Sequence, residues 1–271
     1  MASIELNAIV SQKIDITPTM TVLRIVPDGW DLPEFTPGQF TTLGLPASAG
    51  RRADCDPCTQ NLPPDKIVKR AYSIASSSVA KEHLEFLVSL VKSGALTPRL
   101  FDLKIGDKIH LGKKFTGFFT LEEVPAEANV ILVGTGTGLA PYMSMVRTDL
   151  IKKTRPHLAI LHGAANSWDL AYNAELMALQ LTNPTFSYIP VLDMPDREPV
   201  PWKGEVGFVQ DVWRRGTLDK AWGFHPSPEN THVFLCGNPL MIEAMEDLLQ
   251  AEEFNEHKRK DPGTYHLERY W

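Results

Sequence analysis

Two rhythms of apolar and polar residues divide the chain. In its first part, short runs rich in apolar and β-branched side chains, Ile4–Val10, Met20–Val26, Phe40–Leu45, Val68–Ile74, Leu84–Val91 and Lys108–Leu111, are separated by Pro, Gly, Asp and Ser. That spacing, with one helix-like segment near Thr97–Leu103, predicts an antiparallel barrel or sandwich. After the acidic stretch Glu122-Glu123-Val124-Pro125-Ala126-Glu127, an apolar strand is followed by an amphipathic helix several times over. Val130–Val133 leads to Leu139–Ile151, His157–His162 to Leu170–Leu181, Phe186–Leu192 to Val206–Arg214, and His232–Cys236 to Leu240–Phe254. Such alternation implies a doubly wound parallel sheet, whose ligands lie at the carboxyl ends of the strands. The expected organisation is an antiparallel β-barrel domain over residues 1–124, with an excursion at 46–67, and an α/β domain over 125–271.

A length of 271 residues suits two ordinary domains, and 43% apolar with 22% charged residues excludes a disordered or fibrous chain. No run approaches the roughly 20 apolar residues of a membrane span. The opening Met1-Ala2-Ser3-Ile4-Glu5 lacks the basic-then-apolar pattern of a secretory signal, so a cytoplasmic location is expected. A net charge of −6 argues against a nucleic-acid partner. Residues 1–125 hold 14 Lys/Arg against 14 Asp/Glu, leaving 13 against 19 for the rest, so the negative excess lies in the second half. Three cysteines are too few for an iron–sulfur cluster, which takes four such ligands. Electrons passing through this chain would need another carrier. The lone Cys55-Asp56-Pro57-Cys58 lacks a second pair for zinc and a helix start for dithiol chemistry, so a surface excursion is favoured and no metal site is expected.

Four segments carry candidate chemistry. Arg70-Ala71-Tyr72-Ser73 ends a strand with a phosphate-pairing guanidinium, an aromatic on the same strand face and a small hydroxyl. Lys92-Ser93-Gly94-Ala95-Leu96-Thr97-Pro98-Arg99-Leu100 offers a glycine for close approach and, with Thr97 as N-cap, a helix start for a pyrophosphate. The two together describe an anion clamp with an aromatic lid. Gly134-Thr135-Gly136-Thr137-Gly138-Leu139-Ala140-Pro141 is a glycine-rich strand-to-helix turn, though not G-x-G-x-x-G. The next strand ends Leu161-His162-Gly163-Ala164 without the carboxylate that usually holds a ribose. Leu235-Cys236-Gly237-Asn238-Pro239 places a cysteine where a nicotinamide would be expected, against the plainer reading of a buried structural cysteine. Lastly, Tyr265-His266-Leu267-Glu268-Arg269-Tyr270-Trp271 is a strand-like run ending on two aromatics.

In this order the R-x-Y-S, G-x-L-T, G-T-G-T-G-x-A-P, C-G-N-P and E-x-Y-W elements resemble the ferredoxin-NADP reductase family, and the Tyr-Trp ending its bacterial branch. The resemblance implies an FAD-binding antiparallel barrel, an NAD(P)-binding α/β domain and a flavin in the cleft between them. On FAD, it places Arg70 at the pyrophosphate, Tyr72 along the ring, Ser73 near N5, Gly94, Leu96 and Thr97 at the pyrophosphate, and Thr137 approaching from the second domain. Ser73, Cys236, Glu268 and Tyr270 would surround hydride transfer, with Tyr270 covering the ring as a gate and Trp271 extending toward the adenine. Gly134, Gly136, Gly138, Asn166, Ser167, Arg197 and Gly237 would contact the nicotinamide dinucleotide.

The implied activity is electron exchange between NADPH, a two-electron donor, and a separate acidic ferredoxin or flavodoxin, which carries one electron. Lys92, Arg99, Lys104, Lys108, Lys113 and Lys114, against Asp102 and Asp107, would form the docking face. The resemblance weakens at the 2′-phosphate. Asn166 stands where an arginine would help, Arg197 offers one contact, and Phe208 falls where another would lie, so NADH remains open as donor. An oxygenase reductase component and a non-catalytic flavin-binding subunit are the competing readings.

Overall fold

The computed structural model describes residues 6–152 and 155–269. Contacts divide the chain into two units, residues 1–120 with 143–145, and residues 121–142 with 146–271.

The first unit is a six-stranded antiparallel sheet in the order β4-β3-β6-β1-β2-β5. Its strands are β1 (Ala8–Thr17), β2 (Met20–Pro27), β3 (Phe40–Pro46), β4 (Ile67–Ser73), β5 (Leu84–Ser89) and β6 (Lys108–Leu111), with α1 (Thr97–Asp102) before the last. The two edges meet just past β4, where the Ala75 N–H donates to Glu85 O at 2.8 Å. Val10, Leu23, Ile25, Leu43, Ile74, Leu84, Phe86, Leu100, Ile109 and Leu111 fill the interior. The first strand departs from expectation by running on to Thr17 rather than ending at Val10. Its second half is polar at Ser11, Gln12, Lys13 and Asp15, yet pairs with β2 through Ile14 opposite Val22. Hairpin hydrogen bonding extends it where hydropathy gives no signal.

The second unit is a six-stranded parallel sheet in the order β10-β9-β8-β7-β11-β12, as the alternating rhythm predicts. It comprises β7 (Asn129–Thr135), α2 (Leu139–Lys152), β8 (Leu158–Ala164), α3 (Asn173–Thr182), β9 (Phe186–Leu192), β10 (Glu205–Val206), α4 (Val209–Arg214), α5 (Thr217–Trp222), β11 (Thr231–Cys236), α6 (Pro239–Ala251) and β12 (Tyr265–Glu268). Because both faces are covered, β7, β8 and β11 are buried almost throughout. The expected helix at 206–214 is shorter, since Val206 belongs to a strand. Gly216, at φ +64°, then separates α4 from an unforeseen α5. The expected helix at 170–181 begins at Asn173, because Ser167–Asp169 forms a separate 3-10 turn.

Strand order reverses between β7 and β11, which defines the switch point where ligands of such sheets bind. Fully buried Tyr142 of α2 fixes this junction, its hydroxyl lying 3.0 Å from Val133 O and 2.9 Å from Phe234 O. Its ring also explains Gly134, where a Cβ would come within 2.9 Å of it. Among the described residues no helix is long and apolar enough to cross a membrane.

Candidate functional site

In the first unit, β4 carries Arg70, Tyr72 and Ser73. Arg70 is exposed, and one guanidinium nitrogen donates to the Lys69 carbonyl at 2.7 Å. The remaining donors of its fork are thus presented to solvent, where an anion can reach them. Tyr72 packs against the barrel core, and burial raises its phenol pKa well above the usual value, so it stays neutral. Ser73 is half-buried at the strand end.

Gly94, Leu96 and Thr97 form the loop entering α1. Thr97 is not the N-cap. That place falls to Leu96, and Thr97 is the first helical residue. The Thr97 hydroxyl donates to Val91 O and accepts from Val91 N–H, both at 3.0 Å, which closes the loop on itself. A turn tightened in this way leaves the Leu96 and Thr97 amides without a hydrogen-bond acceptor among the described residues. An exposed guanidinium, unpaired helix-start amides and a packed aromatic suit a diphosphate joined to a planar ring. The donor set therefore fits FAD.

The 46–67 segment has a structural task. Ala47 N–H and Ser48 N–H close its neck on Lys66 O at 2.8 Å and Pro64 O at 3.0 Å. Arg51 then donates to Gly94 O at 3.0 Å and to Asp56 O at 2.6 Å, while Asp56 N–H reaches Lys92 O. The excursion thus grips the loop that carries Gly94 and Thr97. Cys55 and Cys58 are half-buried free thiols within it. Among the described residues no His, Cys, Asp or Glu cluster could hold a metal.

The basic face expected over residues 92–114 is smaller than the sequence suggests. Arg99 is 4% exposed, its guanidinium donating to the carbonyls of Ala95 and Ala47, so it braces α1 and the excursion rather than facing a partner. Lys108 pairs with Asp28 at 3.1 Å, and Lys92 lies 3.7 Å from Asp54. Lys104, Lys113 and Lys114 remain exposed.

In the second unit the glycine turn and the C-G-N-P turn are built against each other. Gly134 ends β7, Gly136 and Thr137 lie in a 3-10 turn, and Gly138 precedes α2. A Cβ on Gly138 would sit 2.2 Å from Cys236 O, and one on Gly237, at φ +142°, 2.3 Å from Thr135 Oγ1. Glycine is required at both positions by backbone proximity. Thr135 Oγ1 accepts from Asn238 N–H at 2.8 Å, and the Asn238 side chain caps α6 by accepting from Leu240 N–H. The register sets Cys236 opposite Glu268 on β12, with Sγ 3.9 Å from Oε2. Thus two residues 32 apart in sequence meet at the carboxyl edge of the sheet. Tyr270 and Trp271 lie outside the described residues.

A further cluster surrounds the end of β8. His162 is fully buried, its Nδ1 3.1 Å from the Tyr188 hydroxyl, and burial lowers its pKa to about 3, so it is neutral. The buried Asn166 amide donates to Met194 O at 3.3 Å. Ser167 donates to both oxygens of Glu198, from its N–H at 2.8 Å and its hydroxyl at 2.6 Å. Arg197 stands exposed beside this carboxylate, which sequence reading did not single out.

Residues 37–114 match the family model of the oxidoreductase FAD-binding domain, and residues 132–247 that of the oxidoreductase NAD-binding domain. A flavodoxin/ferredoxin–NADP reductase of Escherichia coli is 31% identical over 239 residues, covering 88% of both chains. That of Buchnera aphidicola is 30% identical over 238 residues, again covering 88% of each. The chain belongs to the flavodoxin/ferredoxin–NADP reductase family. The family fold is also that of a ferredoxin NADP+ reductase from Neisseria gonorrhoeae, solved with bound FAD and NADP. It superposes with a TM-score of 0.81 over 98% of both chains at 22% identity. As a member of the reductase family, the chain is an FAD-binding oxidoreductase with a nicotinamide-dinucleotide domain.

Proposed function

We propose that this reductase exchanges electrons between a nicotinamide dinucleotide and a separate acidic ferredoxin or flavodoxin, with residues 1–124 as its FAD domain and 125–271 as its dinucleotide domain. The observation that carries this reading is the exposed Arg70 fork on β4 together with the unpaired amides that open α1. Bound FAD supplies the conversion between two-electron and one-electron transfer. In this reading Arg70 and the Leu96 and Thr97 amides hold the diphosphate, Tyr72 lines the ring, and Ser73 lies near its reactive nitrogen. Gly94 allows the loop to approach closely, and Arg51 keeps it in place from the excursion. In the second unit Gly134, Gly138 and Gly237 let the glycine turn and the C-G-N-P turn pack against each other, and Gly136 leaves open space for the dinucleotide at the switch point. Cys236 and Glu268 then lie beside the nicotinamide, Glu268 as the group able to hold a proton there. Lys104, Lys113 and Lys114 steer the acidic carrier, which makes its reduction salt-sensitive. A carrier of this kind puts the reductase in the cytoplasm, which cell fractionation would check.

Arg70→Ala tests the flavin site. The side chain is exposed, so the fold should persist, while loss of a charge-assisted phosphate pair weakens FAD binding by about tenfold or more. The variant should emerge from gel filtration with a reduced ratio of absorbance at flavin wavelengths to protein, and with unchanged circular dichroism. A full flavin complement retained on dilution would remove Arg70 from the clamp. Anaerobic addition of NADH or NADPH to the wild type should bleach its flavin, and ferredoxin or flavodoxin should restore the colour. An unbleached flavin would rule out the reductase reading.

A further inference from the structure

We propose that Cys55 and Cys58 form a regulatory thiol pair, whose oxidation by a low-molecular-weight disulfide releases the Gly94 loop and weakens FAD binding; the inference rests on the flavin reading above. Both thiols are free and half-buried, and Ala53, Asp54, Asp56, Pro57, Thr59 and Gln60 around them are exposed, so a small disulfide can reach the pair. Cys236, the third thiol, is fully buried. Cys58 is the attacking sulfur. It contacts the Gln60 backbone at 3.8 Å, and this hydrogen bond, followed by the nearby guanidinium groups of Arg99 and Arg51, lowers its pKa and favours the thiolate. Cys55 Sγ faces the Asp54 carboxylate instead, at 4.0 Å. The Cys58 thiolate attacks one sulfur of the incoming disulfide and displaces the other as a small thiolate. Cys55 then gives up its proton and attacks Cys58 Sγ, which expels the second small thiolate. Two protein thiols are oxidised, one small disulfide is reduced to two thiols, and the two cysteine protons end on the departing sulfurs.

The coupling to flavin runs through the residues between the two sulfurs. A disulfide needs its Cα atoms within about 7 Å of each other. Residues 56–59 form neither turn nor helix, and Pro57 disfavours the helical region for Asp56 ahead of it, so closing the bond must bend the chain at Asp56-Pro57. That bend moves the Asp56 peptide groups, which hold the excursion on the loop. Asp56 O accepts from Arg51 at 2.6 Å, and Asp56 N–H donates to Lys92 O at 3.2 Å. The same Arg51 guanidinium donates to Gly94 O at 3.0 Å. Once Asp56 turns away, Arg51 loses the carbonyl that aims it at Gly94. Two anchors stay in place: Arg52 N–H on Pro98 O at 3.0 Å, and the Thr97 hydroxyl on Val91. The loop that carries Gly94, Leu96 and Thr97 therefore loosens without unfolding.

The test compares the reduced and oxidised forms of the FAD-loaded full chain. After treatment with glutathione disulfide, intact mass and peptide mapping should show the loss of two hydrogens and a bond between Cys55 and Cys58. Flavin fluorescence on dilution should then give an FAD Kd about tenfold higher than that of the reduced form, and dithiothreitol should reverse the change. Cys55→Ser and Cys58→Ser should bind FAD as the reduced wild type does and lose the response. Arg51→Ala should show the weaker FAD binding already when reduced, with less than about a twofold further effect of oxidation. A wild type that forms no bond between the two cysteines, stops at a mixed disulfide, or keeps its FAD affinity within about twofold on forming the bond would overturn the assignment. So would cysteine variants that keep the response. If the reduced wild type took up no FAD although the disulfide still formed, the flavin reading itself would fall, and this inference with it.

Discussion

Gly138→Ala is expected to destabilise the second unit by about 3 kcal/mol or more and to abolish dinucleotide binding, with FAD content unaffected. The added methyl would lie 2.2 Å from Cys236 O and 2.5 Å from its carbonyl carbon, and its third neighbour is Gly237 N at 2.8 Å. All three are backbone atoms at the end of β11 and of the residue that follows it, so no rotamer change relieves the overlap. The glycine turn and the C-G-N-P loop must move apart, which breaks the Thr135 to Asn238 bond at 2.8 Å that joins them. Gly136→Ala is the control. Gly136 has φ +55°, but nothing lies within 4 Å of its Cβ position. Its cost should be limited to the left-handed conformation, about 1 kcal/mol. Thermal melts of both variants, with titration of NADH into each, check the contrast. Equal effects at the two positions would mean that conformation rather than backbone contact makes glycine necessary.

Acid should unfold the second unit well above the carboxylate range. His162 is fully buried and His266 is 6% exposed, and burial pulls both pKa values from 6.5 to about 3. His266 is stacked between Phe234 and His257, at 4.1 and 4.5 Å between ring centroids, and its Nε2 lies 3.0 Å from Nδ1 of His232. His232 is depressed to about 4 by burial and then by the charges of Arg155 and His257, while His257 lies 2.7 Å from Glu123. Below pH 6.5 the unfolded chain binds protons that the folded chain resists. Stability contributed by the neutral rings is thus complete above pH 6.5 and is lost as pH falls through that value toward about 3. Each of His162 and His266 accounts for about 1.4 kcal/mol per pH unit in that window, so roughly 3 kcal/mol is lost by one unit below 6.5. Denaturant unfolding of the full chain at pH 7, 6 and 5 should show a falling midpoint for the second unit. His266→Phe, which preserves stacking on Phe234, should flatten the slope by about one proton. A midpoint independent of pH between 7 and 5 would contradict this account.

Strand and helix periods made most of the architecture legible. Phe186–Leu192 appears as β9 with both ends as expected, and the barrel strands keep their places, because burial imposes a period that hydropathy records directly. Short elements were hidden. The two residues of β10 and the six of α5 are too brief to show a period, and the polar half of β1 is held by its hairpin partner rather than by apolar contact. The family motifs were equally legible, since a glycine at a strand-to-helix turn or an arginine before an aromatic is a local pattern. What each residue does there was less so. Thr97 was expected to cap a helix and instead closes the loop onto Val91, and Arg99 was counted as a surface cation but braces the interior.

By itself, the sequence determined the two-domain order, the flavin and dinucleotide motifs and the absence of a carboxylate at the end of β8, all properties of neighbouring residues. Only the tertiary structure decided that the 46–67 excursion grips the Gly94 loop, that Cys236 meets Glu268, and that Glu198 accepts two hydrogen bonds from Ser167. Parallel pairing causes this difference. It aligns the carboxyl ends of strands that lie far apart along the chain, so side chains 31 and 32 residues apart become neighbours without leaving any local pattern to read.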